Sequence, residues 1–332
     1  MVSSKTKLLK CQFTVRSLFA LVTALAAAFA WVGWRIEYCR RQWHVRDRVE
    51  AFGGEVLLER GLPKWLADIL GEETSNVVVG VYMPQHTDDN AMAELQGLTR
   101  LRELVIRNTL VTDLGLAYVR EFTQLEVLDA SDTQITTTGL QYIKGCRRLR
   151  ELALDGTSVS VVHMRGRNTL EQLSLGSASL TDIELAHLSA LRLLCLRDCS
   201  SLRRIAVKHA CALEQLSIEG AKVESVQLVA LRTLRELDIV GCPVRQLDFE
   251  DMPNLDTLNL DGSSITDAHL KEIQTLKRLR VLNLGNTRVT EAGLQYVLSL
   301  PNIEILSIEG ITVPNETIVD FSKGRPTLEV IR

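Results

Sequence analysis

Residues 125–146 read LEVLDASDTQITTTGLQYIKGC, and residues 279–300 read LRVLNLGNTRVTEAGLQYVLSL. In the first, Leu125, Leu128, Ala130 and Ile135 are spaced to point at one interior. The alternation across Leu128-Asp129-Ala130 has period two and predicts a short strand. The run from Thr136 to Gly139-Leu140 then turns into a helix that carries Leu140 and Ile143 inward. The second stretch repeats this plan, and the match of GLQYI to GLQYV indicates duplication.

Outward from these two stretches, the spacing L-x-x-L-x-L-x-x-Z-x-L recurs, with Z small or polar. Its first position falls at Leu101, Leu125, Leu149, Leu170, Leu191, Leu213, Leu234, Leu255, Leu279 and Ile303. So regular a period predicts a solenoid in which each unit stacks only on its neighbours. Strands of adjacent units should lie side by side as a parallel sheet, about 4.8 Å per step. Units starting at Leu101, Leu125, Leu279 and Ile303 are long. Those from Leu149 to Leu255 are read as shorter and mostly lack the glycine that opens the helix. The middle of the solenoid is therefore expected to be flatter, with turns or single-turn 3₁₀ segments on the convex side.

The Z position holds Thr109, Thr133, Thr157, Ala178, Cys199, Ala221, Cys242, Ser263, Thr287 and Ile311. A hydroxyl or thiol turned inward there can bond the backbone of a neighbouring turn, which buried loops require. Cys199 and Cys242 thus have a structural explanation. The chain has seven cysteines and no C-x-x-C, and Cys195-x-x-x-Cys199 has no histidine at zinc-finger spacing. An odd cysteine count in a long chain implies no disulfide framework. A net charge of −3 lacks the basic excess of a nucleic-acid binder.

Residues 17–34, SLFALVTALAAAFAWVGW, carry no charge. As a helix they would span about 27 Å, close to the hydrocarbon thickness of a bilayer. Arg16 and Arg35 bound the run, and Trp31 and Trp34 stand where an interfacial belt would place them. A transmembrane helix is expected; a cleaved signal peptide ending at Ala28-Phe29-Ala30 is the rival reading. The tail, residues 1–16, carries Lys5, Lys7, Lys10 and Arg16, while Arg35, Arg40, Arg41, Arg46 and Arg48 follow the apolar run. A short basic tail usually stays in the cytoplasm, which puts the repeats on the extracytoplasmic side.

Residues 35–54 read as a charged juxtamembrane helix stopped by Gly53-Gly54. Pro63 is expected to open a second helix through Leu70, with Gly71 as its stop. Residues 77–82 (VVVGVY) read as a buried strand, followed by Thr87-Asp88 as Ile106 is followed by Thr112-Asp113. Residues 55–97 are taken as an N-terminal cap and degenerate first repeat, and residues 98–332 as the repeat domain.

The units resemble leucine-rich repeats of the cysteine-containing type, L-x-x-L-x-L-x-x-[TC]-x-[IV]-T-D-x-G-L, best at residues 101–116, 279–294 and 265–270 (ITDAHL). The resemblance covers about three quarters of the chain. The N-terminal part resembles a bacterial, planctomycete-type family with an F-[ST]-[LV]-R-[ST]-L start, a G-W-[RK] exit, a charged helix ending in G-G and a P-x-W-L segment. Here these are residues 13–18, 33–35, 53–54 and 63–66. The resemblance implies an α/β leucine-rich-repeat solenoid, with a parallel β-sheet on the concave face and short helices and turns on the convex face, behind an N-terminal transmembrane helix. Similar repeats recruit substrates in eukaryotic F-box proteins, but no F-box-like domain precedes them here.

G-x-G-x-x-G after a strand, G-x-x-x-x-G-K-[ST], H-E-x-x-H and G-x-S-x-G are all absent. His44, His86, His163, His187, His209 and His269 are not paired at ligand spacing, and the sequon at 315–317 carries little weight. No catalytic residue, metal or cofactor is implied. Outward positions of the concave strands carry nine acids, Glu103, Asp129, Glu151, Asp155, Glu219, Glu236, Asp238, Asp261 and Glu309, against two bases, Arg107 and Arg197. The expected function is noncatalytic binding at a membrane, as scaffold or receptor, with this face taking a protein or peptide of basic character. A role as the substrate-positioning subunit of a partner enzyme is the alternative. A plain solubilising role for the charges stays open beside both.

Overall fold

The computed structural model describes residues 15–248, 252–314, 316, 325 and 327–332. Lys5, Lys7, Lys10, Phe13 and the sequon residues Asn315 and Thr317 lie outside the described residues.

Thirteen strands form one continuous sheet. It opens with an antiparallel pair, β1 (Glu55–Arg60) on β2 (Asn76–Tyr82), and is parallel from β2 onward. The middle leucine of each unit stands in one register row: Leu104, Leu128, Leu152, Leu173, Leu194, Leu216, Leu237, Leu258, Leu282 and Leu306. Side chains alternate across a strand, so this row faces the interior together with the starting positions from Leu101 to Ile303. All of them are at most 3% exposed. The core is one unbroken column running the length of the repeats.

The convex side of the short units departs from expectation. In place of turns it carries a second parallel sheet of five strands, Val161–Arg165, Asp182–Ala186, Arg204–Lys208, Ser225–Val229 and Gln246–Asp248. A unit of only 21 or 22 residues leaves no room for a helix in its return. An extended chain, rising about 3.3 Å per residue against 1.5 Å in a helix, closes the loop in few residues. The returns also alternate, with Ile183 and Leu185, Ile205 and Val207, and Val226 and Leu228 buried. The 3₁₀ segments sit in long units instead, at Ala117–Glu121 and Gly139–Gly145. The Leu255 unit, expected among the short ones, returns through a helix, Asp267–Ile273, because its step to Leu279 is 24 residues.

The inward Z side chains behave in two ways. Thr109, Thr133, Thr157, Ser263 and Thr287 donate to the carbonyl three residues back in their own turn, at 2.5–2.7 Å. Cys199 reaches across to Leu175 O of the preceding unit at 3.0 Å, Cys242 to Ile218 O at 3.7 Å and Ser177 to Thr157 O at 2.7 Å, so these three make the expected bond to a neighbour. Burial holds the Cys199 thiol up at about 11. At the Leu170 unit Ser177 takes the inward place, and Ala178 is exposed. Leu180 keeps the next buried place of the pattern, so only the inward small residue moves, by one position.

At the N-terminus the apolar run and the charged segment are one helix, α1 (Val15–Ala51). Its first half is exposed, whereas Arg35, Cys39, Gln42, Val45 and Val49 form a buried face at helical spacing. Val45 and Val49 pack with Val78, Val81 and Met83, and Gln42 Oε1 accepts from Val78 N–H at 3.1 Å. The second half of α1 thus covers the end of the core that would otherwise meet water. Gly53, at φ +84°, ends it. The helix opened by Pro63 is α2 (Lys64–Leu70), closed by Gly71 at φ +88°. A single turn, α3 (Glu72–Ser75), leads into β2. After β2 the alignment shifts by one residue from that expected. Asp88 caps the next helix as Thr112 does in the following unit, and Thr87 takes the place of Val111.

Candidate binding face

The nine acids all lie on the outward rows of the concave sheet or two residues past its strands, but they are not equally free. Glu103 accepts the Tyr82 hydroxyl at 2.6 Å, and that bond, with burial, pushes the phenol up to about 12. Asp155 Oδ1 accepts Ser174 Oγ at 2.8 Å and Gly176 N–H at 2.6 Å, so it stitches one unit to the next. Asp129 accepts Ser131 N–H at 3.0 Å, closing its own turn. Asp261 accepts Asn286 Nδ2 at 3.1 Å. Glu151 and Glu309 are exposed.

Glu219, Glu236 and Asp238 are brought together. Their strands, Gln215–Glu219 and Glu236–Val240, pair directly, with Ser217 opposite Asp238. Glu236 accepts Gln215 Nε2 at 2.8 Å; Glu219 accepts Ser217 Oγ at 3.0 Å and faces Arg197 at 3.7 Å. Burial raises the Asp238 carboxyl above its ordinary range, and the charges of Glu236 and Glu219 push it further. The folded protein holds this proton more tightly than the unfolded chain does. Stability therefore falls as pH rises from the usual aspartate range through the raised one. Asp238→Asn is expected to raise the unfolding midpoint at neutral pH. The gain should vanish once acid protonates Asp238 in both states, as read by urea titration at two pH values.

A shallow depression of about 270 Å³ lies on the same face, with Val105, Val127, Ala153 and Leu193 in its lining and Glu103, Asp129 and Glu151 beside them. A larger cavity of about 540 Å³ opens on the convex side. It sits where the 3₁₀ return at Gly139–Gly145 gives way to the strand Val161–Arg165. Leu140, Val162 and Met164 line it with Lys144, Arg147 and Arg165. Arg167 beside them is engaged, donating to Ile143 O at 2.9 Å and Cys146 O at 3.3 Å. Sequence reasoning missed this cavity, because it arises from the step between two return types.

A second missed feature is a charge ladder along one rim of the concave sheet. The residue after each starting leucine alternates in sign without a break: Arg102, Glu126, Arg150, Glu171, Arg192, Glu214, Arg235, Asp256, Arg280, Glu304. Each donates its backbone N–H to the carbonyl of the one before, from Glu126 onward. Arg150 meets Glu171 at 2.6 Å, Arg192 meets Glu214 at 3.0 Å, and Arg280 meets Glu304 at 2.6 Å. The rim is thereby neutral, and the acidic excess is confined to the sheet.

Inward leucines in register, one strand per unit on the concave side and a small or polar side chain turning in at the end of each strand decide the architecture. The fold is a leucine-rich-repeat solenoid. No family model matches the chain, and no curated protein matches it. Solved structures with related architecture include the internalin InlF of Listeria monocytogenes, at 15% identity over 78% of this chain and 90% of that one, with a TM-score of 0.39. Internalin C2 of the same organism is 20% identical over 73% and 87%, with a TM-score of 0.41. A leucine-rich-repeat protein of Leptospira interrogans is 16% identical over 76% and 81%, with a TM-score of 0.37.

Proposed function

We propose that this chain is a noncatalytic, membrane-anchored binding protein whose concave sheet takes a basic protein or peptide. The single observation that carries the reading is the Glu219, Glu236 and Asp238 cluster, in which a carboxyl is held above its ordinary range by burial and by its neighbours. A cationic side chain placed there would relieve that repulsion. Like charges gathered on a concave surface also focus potential and speed encounter with an oppositely charged partner.

The anchor is the apolar first half of α1, the one helix among the described residues long and apolar enough to cross a bilayer. On this reading residues 1–16 are a basic tail, 17–34 the span, 35–54 the juxtamembrane helix, 55–97 the cap and 98–332 the repeats, which stand on the extracytoplasmic side. The planctomycete-type N-terminal pattern supports the same arrangement.

The test is titration of the full-length protein, in nanodiscs of neutral lipid, with a lysine-rich peptide. Replacing Glu219 and Glu236 by Gln and Asp238 by Asn is expected to weaken binding about tenfold and to flatten its salt dependence. Asp155→Asn, which touches the inter-unit bond, is the control for a merely structural loss. An unchanged affinity in the triple variant would overturn the reading.

A further inference from the structure

Short helix α2 leaves two large apolar side chains uncovered. Trp65 is 66% exposed and Ile69 is 72% exposed. They are four residues apart and so share a side of the helix. Ala67 is buried and Leu66 and Leu70 are half-buried, so the opposite side packs on the protein. Lys64 and Asp68 are exposed and lie beside the apolar edge. The helix thus has a face on protein, an edge of apolar side chains and an edge of charges.

The height of α2 along α1 is fixed by contacts. Gly61, two residues before Pro63, packs against the guanidinium of Arg35. Ser75 O accepts both Arg35 Nη2 at 3.3 Å and Gly61 N–H at 2.7 Å. At the other end, Thr74 Oγ1 donates to Leu70 O at 2.8 Å, while Cys39 Sγ donates to Thr74 O at 3.1 Å. Both ends of the α2 segment therefore meet α1 between Arg35 and Cys39. Arg35 directly follows the last uncharged residue of the span, and Cys39 is only about 6 Å further along the axis. The polar interfacial layer of a bilayer is about 5–8 Å deep on each side. Val32, still within the apolar run, is half-buried.

We propose that α2 lies in the membrane interface, inserting Trp65 and Ile69 among lipid headgroups and upper acyl chains with Lys64 and Asp68 toward water. Trp34 and Tyr38 of α1 stand at the same level, stacked at 5.5 Å, with Trp31 about one turn deeper in the apolar run, and Trp65 extends this belt sideways. Amphipathic aromatic rings favour that layer. The inference rests on the span reading of α1 and goes beyond it, because a second contact fixes how the solenoid is turned about the axis of α1.

The chain has four tryptophans, Trp31, Trp34, Trp43 and Trp65, so two single-tryptophan proteins can be made by Trp→Phe replacement at the other three positions. Each full-length protein is reconstituted in bilayers whose acyl chains are brominated either near the headgroup or near the bilayer centre. Trp31 reports the span and Trp65 reports α2. The expected result is that bromines near the headgroup quench Trp65 at least about twofold more than central ones do. Ile69→Asp should weaken that quenching. Quenched Trp31 with unquenched Trp65 would overturn the interfacial helix and leave the anchor standing. Absence of quenching at both would overturn the anchor itself.

Discussion

Leu194→Ala is expected to lower the stability of the solenoid by about 2–5 kcal/mol. Leu194 is fully buried near the middle of the inward row, with Leu173 and Leu216 as its partners on either side. The substitution removes apolar contact and leaves a cavity in a unit that touches only its two neighbours. Stability in such an array is a sum of unit and nearest-neighbour terms. The loss falls on two interfaces at the centre, so the halves should uncouple. Urea unfolding followed by circular dichroism is expected to change from one transition to two. Leu193 stands next in the chain and faces the concave surface, only partly buried. Leu193→Ala should cost under about 1 kcal/mol. Equal costs at the two positions would contradict the inside and outside assignment of the strand.

Gly115→Ala is expected to destabilise by about 2–4 kcal/mol, although alanine is the better helix former by about 1 kcal/mol. Asp89 of the preceding unit accepts three bonds here: Thr112 N–H at 2.8 Å, Thr112 Oγ1 at 2.7 Å and Gly115 N–H at 2.9 Å. A Cβ on Gly115 would fall well inside contact distance of Asp89 Oδ1 and would displace the carboxylate. Hydrogen bonds to a charged group contribute about 1.5–3 kcal/mol each, so losing two outweighs the gain in helix propensity. The clash needs the carboxylate. Asp89→Ala with Gly115→Ala should therefore cost little more than Asp89→Ala alone, a non-additivity measurable by a double-mutant cycle. Asp113 meets Thr136 in the same way, and Asp267 meets Thr290.

That arrangement explains how much of the fold was legible. The T-D-x-G-L pattern is written in the chain because each of its letters has a local duty: cap, cross-unit acceptor, space for that acceptor, core. The leucine rows are legible for the same reason. The convex sheet was not. Ile205-Ala206-Val207 alternates over three residues only, which suits a turn as well as a strand. It becomes a strand because Asp182–Ala186 and Ser225–Val229 stand on either side to accept and donate. Ser177 escapes the pattern because it turns inward one position before the Z place, in a unit whose other buried positions keep their spacing.

The acidic face was legible in position but not in availability. Asp155 and Glu219 look alike in the chain. The first is held by Ser174 and Gly176 of the next unit, about twenty residues on, and only the fold reveals that engagement. The alternating rim ladder was visible all along, but only down a column of aligned units. Read along the chain, its members are isolated arginines and glutamates separated by 21 to 24 residues.

Because α1 passes from its apolar half into the cap as one helix of 37 residues, no joint separates the two. Ten units at about 4.8 Å each make an arm of roughly 48 Å. With the apolar half spanning a bilayer as proposed, a thinner or thicker bilayer changes the tilt of α1, and a change of about 10° would swing the far end of the arm by up to about 8 Å. The protein would then act as a pointer, converting local membrane thickness into the distance at which its far repeats meet whatever they hold.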